Sequence, residues 1–391
     1  MKTTSLKLAL LSAFCFPLSA FSQGSLTPPG APLPTMKTLA QVEPRTPISA
    51  APFTITNSGS YYLTTNVTVG SGNAITISAT GVTLDLNGFT IASTAPSAVG
   101  HGIWLSGGDI TIVNGHIRSG VTNNGSGVYS GSGFSWGILG SGSTMANVVV
   151  SKVSVTGVLY DGIDLPNEKA NVVEACTVTT AGGYGIYAST IKGSVATDCG
   201  GAIYGDQVTD CRGMSTGSGY GVYASATAQN CYGSTTSSMG VYAITAQNCY
   251  GSSSSGYGIF AGTAQNCYGS SGSSYGIYAD NTAQNCYGSS NSDNGLYAHS
   301  AQNCYGNSSS GTGLAANTAV NCNGYSTSGT GLAANTALNC IGHANGSSPG
   351  LIADRANSCY GSSSSGTGLM ATYGNFCFGS SVSVTTKYNM P

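Results

Sequence analysis

Charge is scarce in this chain. Only 6% of its 391 residues are Asp, Glu, Lys or Arg, and the net charge is −2. No basic field exists to draw nucleic acid or an anionic membrane, so neither is an expected partner. From residue 213 onward the only formal charges are Asp280, Asp293, Asp354, Arg355 and Lys387. Acid–base chemistry therefore cannot run along that half. Its turns, such as Ser252-Ser253-Ser254-Ser255, lack carboxylates, which excludes a regular calcium ladder. Past the N-terminus no stretch approaches the ~20 apolar residues of a membrane helix, so no membrane span is expected.

What the chain has in quantity is glycine (58 residues) and a strict period. Low charge with much Gly and Ser can mark disorder. An apolar fraction of 40% and regular spacing argue for a fold instead. Cys211, Cys231, Cys249, Cys267, Cys286, Cys304, Cys322, Cys340, Cys359 and Cys377 are separated by 20, 18, 18, 19, 18, 18, 18, 19 and 18 residues. A period near 20 residues is the mark of a solenoid, in which stacked coils share one core. A second marker, Gly followed by a branched apolar residue, runs from Gly102-Ile103 to Gly368-Leu369. Its early steps are 35, 25 and 23 residues and its later ones settle near 18, with Ala202-Ile203 supplying one copy. Longer steps read as coils carrying inserted loops.

Each repeat predicts two strand segments. Alternation in Gly258-Ile259-Phe260-Ala261 turns Ile259 and Ala261 inward and Phe260 outward. Ala264 and Cys267 are three apart, so both point inward only if the chain bends at Asn266, a residue type that tolerates left-handed backbone. Asp198 and Asp210 stand before Cys199 and Cys211 and suit the same bend. The competing register puts Cys outside and Tyr inside. Burying one Ile or Leu, two Ala and one Cys per coil contributes a few kcal/mol before entropy, at roughly 25 cal/mol per Å². Small inner residues predict a thin solenoid, and at about 4.8 Å per coil the Cys211-to-Cys377 ladder spans roughly 43 Å.

Twelve cysteines follow Cys15. An even number in an exported chain suggests disulfides. Stacked coils would place Cβ atoms near 4.8 Å apart, however, and a disulfide wants about 3.8 Å. A ladder of buried free thiols is the expectation. No metal is expected there, because a line of thiols is not a tetrahedron.

In chain order, residues 1–22 read as a secretory signal: Lys2 and Lys7 precede the apolar Leu8 to Phe16, and Ala20-Phe21-Ser22 offers a cleavage site. A secreted or cell-surface location follows. Residues 23–52 are proline-rich, with one short helix possible over Met36 to Val42. Residues 53–391 form the repeat domain, irregular over 53–212 and regular over 213–391. Thr385-Thr386-Lys387-Tyr388 is expected to cap the last coil. Self-association by end-to-end stacking is possible if the ends are open.

Val82-Thr83-Leu84-Asp85-Leu86-Asn87-Gly88-Phe89-Thr90-Ile91 and Ile110-Thr111-Ile112-Val113-Asn114-Gly115-His116-Ile117 resemble the opening coils of secreted right-handed parallel β-helix repeat proteins of the pectate-lyase-like type. The Gly-Ile-Tyr-Ala and Asn-Cys columns are similar to that family's later coils. The resemblance covers about residues 53–391 and implies an all-β, single-stranded right-handed parallel β-helix. A left-handed helix also has 18-residue coils, but no six-residue sub-period is present. The family mixes polysaccharide enzymes with proteins of unknown role.

Two candidate surfaces follow. Tyr160-Asp161-Gly162-Ile163-Asp164-Leu165-Pro166-Asn167-Glu168 gathers three carboxylates in a chain that has few. It is similar to the Asn-Thr-Asp-Gly-x-Asp stretch of polygalacturonases, whose aspartates supply general acid and base, with Tyr160 in place of Thr. Gly100-His101-Gly102 matches their Gly-His-Gly motif but lies upstream of the aspartates, where the family has it downstream, and their later Asp pair is not evident. It is also similar to the Tyr-Gly-Phe-Asp-Pro-His stretch of uronan epimerases, with insertions and with Asn167 where the base His would stand. The catalytic candidates are thus Asp161, Asp164, Glu168 and His101, with His116 beside them. The plainer reading is that Gly162-Ile163 is the ordinary inward marker, flanked by two outward aspartates. A single Ca²⁺ near Asp161 or Asp206 is conceivable; no other cofactor is expected. The second surface is the outward column Tyr223, Tyr242, Phe260, Tyr278 and Tyr297, suited to sugar rings. The leading function is a non-catalytic structural, adhesive or glycan-contacting role. The alternative is a polysaccharide lyase, hydrolase or epimerase acting near residues 101–168.

Overall fold

The computed structural model describes residues 43–141, 145–166 and 170–389. Residues 1–42, which include the signal-like segment and the expected helix at Met36 to Val42, lie outside the described residues, as does Glu168. The account below concerns the compact unit Arg45–Pro391.

The chain is all-β, a parallel β-solenoid of about 18 coils with no helix among the described residues. Among the described residues thirty-five strands join in one sheet system, and strands of the inner coils pair with their equivalents one coil before and after. The first strand, Thr46–Ile48, lies inside the proline-rich stretch and pairs with Gly59–Leu63. The last, Val382–Tyr388, contains Thr385 to Tyr388 and pairs in register with Leu369–Asn375. The expected cap is therefore one more coil strand: its β-branched residues alternate and extend the ladder.

In the regular half each coil carries two strands, such as Ile259–Gln265 and Tyr268–Ser271. The first turns a corner at its middle: Ile259, Ala261 and Ala264 are fully buried, with two consecutive partly exposed residues, Gly262 and Thr263, between them. Each coil thus has three sides. Phe260 points outward, and Cys267 is buried behind a bend at Asn266 with φ 53°. The same left-handed bend recurs from Asp210 (φ 55°) to Asn339 (φ 54°). The inward-Cys register is the one observed.

The third side adds an inner column that the repeat text did not reveal. Gly269 and Ser271 face the interior. A Cβ on Gly269 would sit 2.1 Å from the Gly276 carbonyl oxygen, and one on Gly258 would sit 2.4 Å from the Ser270 nitrogen. Both markers are glycine because two backbones meet across the core there. The Ser271 hydroxyl donates to the Gly256 carbonyl at 2.7 Å and accepts from the Ser274 N–H at 2.8 Å. A buried hydroxyl so partnered carries little penalty.

This geometry explains the uneven spacings. Between Cys267 and Cys286 the extra residue enlarges the first strand, Ile277–Gln284, to 8 residues, and the register shifts at the corner between Ala279 and Thr282. Between Cys340 and Cys359 it enters the turn from Ala344 to Leu351. Insertions fall at corners and turns, where an extra residue leaves the register of the flanking strand pairs intact.

All twelve cysteines from Cys176 to Cys377 are buried free thiols. Cys267 Sγ lies 3.4 Å from the Ala246 carbonyl and 3.2 Å from the Gln265 carbonyl, two acceptors for its single S–H, and its neighbours repeat the pattern. Cys199 is the exception. It pairs in register with Ala181 and Ser215, so it belongs to the inner serine column, and Ser194 takes the ladder position between Cys176 and Cys211. Asp198 makes the expected bend at φ 55°, but at a different corner from Asp210.

Candidate functional site

Two outward columns share the first side. One lies just before each Gly marker and runs His101, Trp136, Asp161, Tyr184. The other lies two residues after it and runs Trp104, Leu139, Asp164, Tyr187, Tyr204 and onward to Tyr297. In-register stacking therefore brings residues that are far apart in sequence into one patch.

Trp136 is its centre. Its ring stacks on His101 at 5.1 Å and meets Tyr160 at 4.5 Å. Its indole N–H donates to Asp161 Oδ2 at 3.3 Å. Asp161 Oδ1 accepts the Tyr184 backbone N–H at 2.5 Å. His101 Nδ1 donates to Asn73 Oδ1 at 2.6 Å.

Burial raises the Asp161 carboxyl above the usual range, against the pull of its hydrogen bonds from Tyr184 and Trp136. Asp164 is pushed up to about 6, first by burial and then by the charge of Asp161. Burial lowers the His101 pKa. The patch thus favours uncharged forms and holds two neighbouring carboxyls, both raised by burial.

Of the sequence-derived candidates, Asp161 and Asp164 come together. His101 lies two coils from Asp161 with the Trp136 ring between them. His116 is elsewhere: it pairs with Thr90 and Ser154 and lines a separate groove of about 380 Å³ with Asn114 and Lys152. Trp136, Tyr184 and Asn73 went unnoticed in the sequence, although reading one position before each Gly marker would have found the first two.

A hairpin inserted in the 35-residue step flanks this patch. Gly120–Asn123 pairs antiparallel with Tyr129–Ser132. Asp198 pins it: Oδ1 accepts from Asn123 Nδ2 at 2.6 Å and Thr216 Oγ1 at 3.1 Å, while Oδ2 accepts from Thr180 Oγ1 at 2.7 Å. Among the described residues no three His, Cys, Asp or Glu side chains gather as a metal site. Asp206 accepts from Ser225 Oγ at 2.6 Å.

The expected aromatic column is continuous. From Tyr187 through Tyr204, Tyr223, Tyr242, Phe260 and Tyr278 to Tyr297, neighbouring rings lie 4.2 to 5.5 Å apart, within 26° of parallel. Each ring face inside the column is covered by the next ring, up to Tyr297, which Ala315 follows in register. What the column presents outward is edges and hydroxyls, so stacking of sugars on its faces, the mode expected from the sequence, is blocked along its length. Asp164 stands in register with Tyr187, where this ladder begins.

The fold and the patch together define a parallel β-solenoid with an aromatic and carboxylate surface on one side. No family model and no curated protein matches the chain. Among solved structures it is similar to the catalytic domain of a GH87 alpha-1,3-glucanase in complex with nigerose, at 11% identity and a TM-score of 0.33, covering 86% of this chain and 59% of that one. It is also similar to the Dettilon tailspike protein, at 11% identity and a TM-score of 0.26, covering 86% and 60%. The chain thus spans less than two thirds of either structure's length.

Proposed function

We propose that the protein is an exported, non-catalytic solenoid that holds a polysaccharide or cell-surface glycan along its first side. The observation that carries this reading is the continuity of that side: the Trp136–Tyr160 cluster, the Asp161–Asp164 pair and the Tyr187-to-Tyr297 ladder form one row. The tilted Trp136 and Tyr160 rings supply a stacking platform, and Tyr160 is exposed. The ladder supplies hydroxyl edges and the two carboxyls bond sugar hydroxyls. Export rests on the leader-like text at Lys2 to Ser22. A glycan array probed with the wild type and with Trp136→Ala tests the reading. Binding that weakens about tenfold in the variant supports it. A blank array for the wild type sinks it.

One observation favours the alternative of a polysaccharide-active enzyme. Asp164, pushed up to about 6 by burial and by the charge of Asp161, stands beside a second carboxyl, the pairing that acid–base cleavage uses. Assays for reducing ends or unsaturated products on pectin and alginate decide this. Activity that disappears in Asp161→Asn/Asp164→Asn would establish the enzyme.

A further inference from the structure

A second surface lies at a different corner, between the second and third sides. It is a trough of about 830 Å³ that runs along the solenoid axis. One wall is the ladder of bend asparagines. Asn248, Asn266, Asn285, Asn303 and Asn321 each donate Nδ2–H to Oδ1 of the preceding asparagine at 3.0 to 3.2 Å. The other wall is a second tyrosine column. Tyr232, Tyr250, Tyr268, Tyr287 and Tyr305 stack at 4.8 to 5.1 Å, within 11° of parallel. Asp210 and Arg212 stand at one end, with Arg212 over the Tyr232 ring at 4.8 Å. From Asn230 to Asn323 the lining carries no charge.

The ladder does not exhaust its own hydrogen-bonding capacity. An asparagine side chain has two N–H donors and two acceptor lone pairs. Each internal member uses one of each on its neighbours, and all are exposed. At the far end Asn323 takes the place of tyrosine. Its Oδ1 is buried and, among the described residues, is the side-chain acceptor without a partner. A buried amide oxygen left unpaired is destabilising, and it marks this end of the trough as polar but unsatisfied.

We propose that this trough binds an uncharged, hydroxyl-rich glycan chain laid parallel to the axis. The lining selects that class. Spare amide donors and acceptors recur once per coil, about every 4.8 Å, and an extended sugar chain offers hydroxyls at a comparable repeat. Phenol edges along the opposite wall add hydroxyl partners. An acidic polymer would find no cation beyond Arg212, and an apolar segment would bury the amides unpaired. The site is independent of the first-side reading: it uses none of its residues.

Affinity electrophoresis in gels containing hydroxyethylcellulose, dextran or polygalacturonate tests this. Retardation by a neutral polymer is expected. Asn248→Gly/Asn266→Gly/Asn285→Gly keeps a backbone that accepts positive φ and removes the amides. It should weaken that retardation about tenfold, and do so equally in an Asp161→Asn/Asp164→Asn background, where the first-side carboxylates no longer contribute. In the wild type, the neutral polymer should slow nitration of the exposed Tyr250 and Tyr268. That measurement stands even if the glycine variant does not fold. Retardation by polygalacturonate alone, no retardation at all, or retardation without protection of Tyr250 and Tyr268 would each overturn the proposal. If the first-side variants abolish all glycan binding and the glycine variant abolishes none, the first-side reading survives and this one fails.

Discussion

Asn266 donates its side-chain amide to Asn248 across one coil at 3.1 Å, while its own backbone sits at φ 53°. One residue therefore does two things: it accepts a left-handed bend and ties that bend to the coil before it. Replacing it separates the two roles. Asn266→Ala loses both, and a left-handed backbone disfavours Ala by about 1–2 kcal/mol. Asn266→Gly keeps the bend and loses only the tie, so it should be the milder change. Denaturant melts of both variants check the order.

The thiol ladder makes a chemical prediction. Burial pushes Cys176 up to about 11 and Cys199 and Cys211 up to about 12. Thiols so raised stay protonated at pH 8 and react slowly. Folded protein should resist alkylation there. Unfolded without reductant, it should titrate the twelve thiols from Cys176 to Cys377, with Cys15 as a thirteenth if retained. A titration near zero would mean the ladder is oxidised.

Asp164 sets a pH dependence. Its folded pKa, about 6, lies above the ordinary value of 3.8. Between those values the folded chain binds the proton more than the unfolded chain does, so stability falls as pH rises through that window. The contribution is fully present below 3.8 and gone above about 6. Asp164→Asn should therefore flatten this part of the profile, and its gain over the wild type should grow from pH 4 to pH 8. Urea melts across that range read it out.

Each coil leans on one large inner side chain. Ile277 is fully buried among alanines. Ile277→Ala should destabilise by about 2–5 kcal/mol, while Ile277→Leu should be mild, since Leu296 fills the same column one coil on. Thermal unfolding distinguishes them.

One carboxylate helps to anchor the hairpin, beside Thr216, which bonds Asn123 and Tyr129 directly. Asp198→Gly removes the acceptor for Asn123, Thr216 and Thr180 and keeps a backbone that accepts φ 55°. Chymotrypsin should then cut at Tyr129 faster than in the wild type, with the circular dichroism of the solenoid unchanged.

The amino-acid sequence by itself determined the repeat, the parallel stacking, the inward Ile, Ala and Cys columns and the bend at Asn266. It could do so because in a solenoid each residue's neighbours are its own equivalents one period away, so local spacing is also tertiary contact. Where the period breaks, that equivalence fails. Trp136 meets Asp161 across a 25-residue step, and the hairpin reaches Asp198 across 75 residues. Neither contact follows from a count of cysteines. Only the tertiary structure decided that Gly269 and Ser271 form a third inner side, since their inward turn depends on Gly276 crossing close by. It also decided that Tyr223 and its neighbours spend their ring faces on one another. The outward direction of those rings was legible from alternation. What they offer to a ligand was not, because that depends on the distance and tilt between coils.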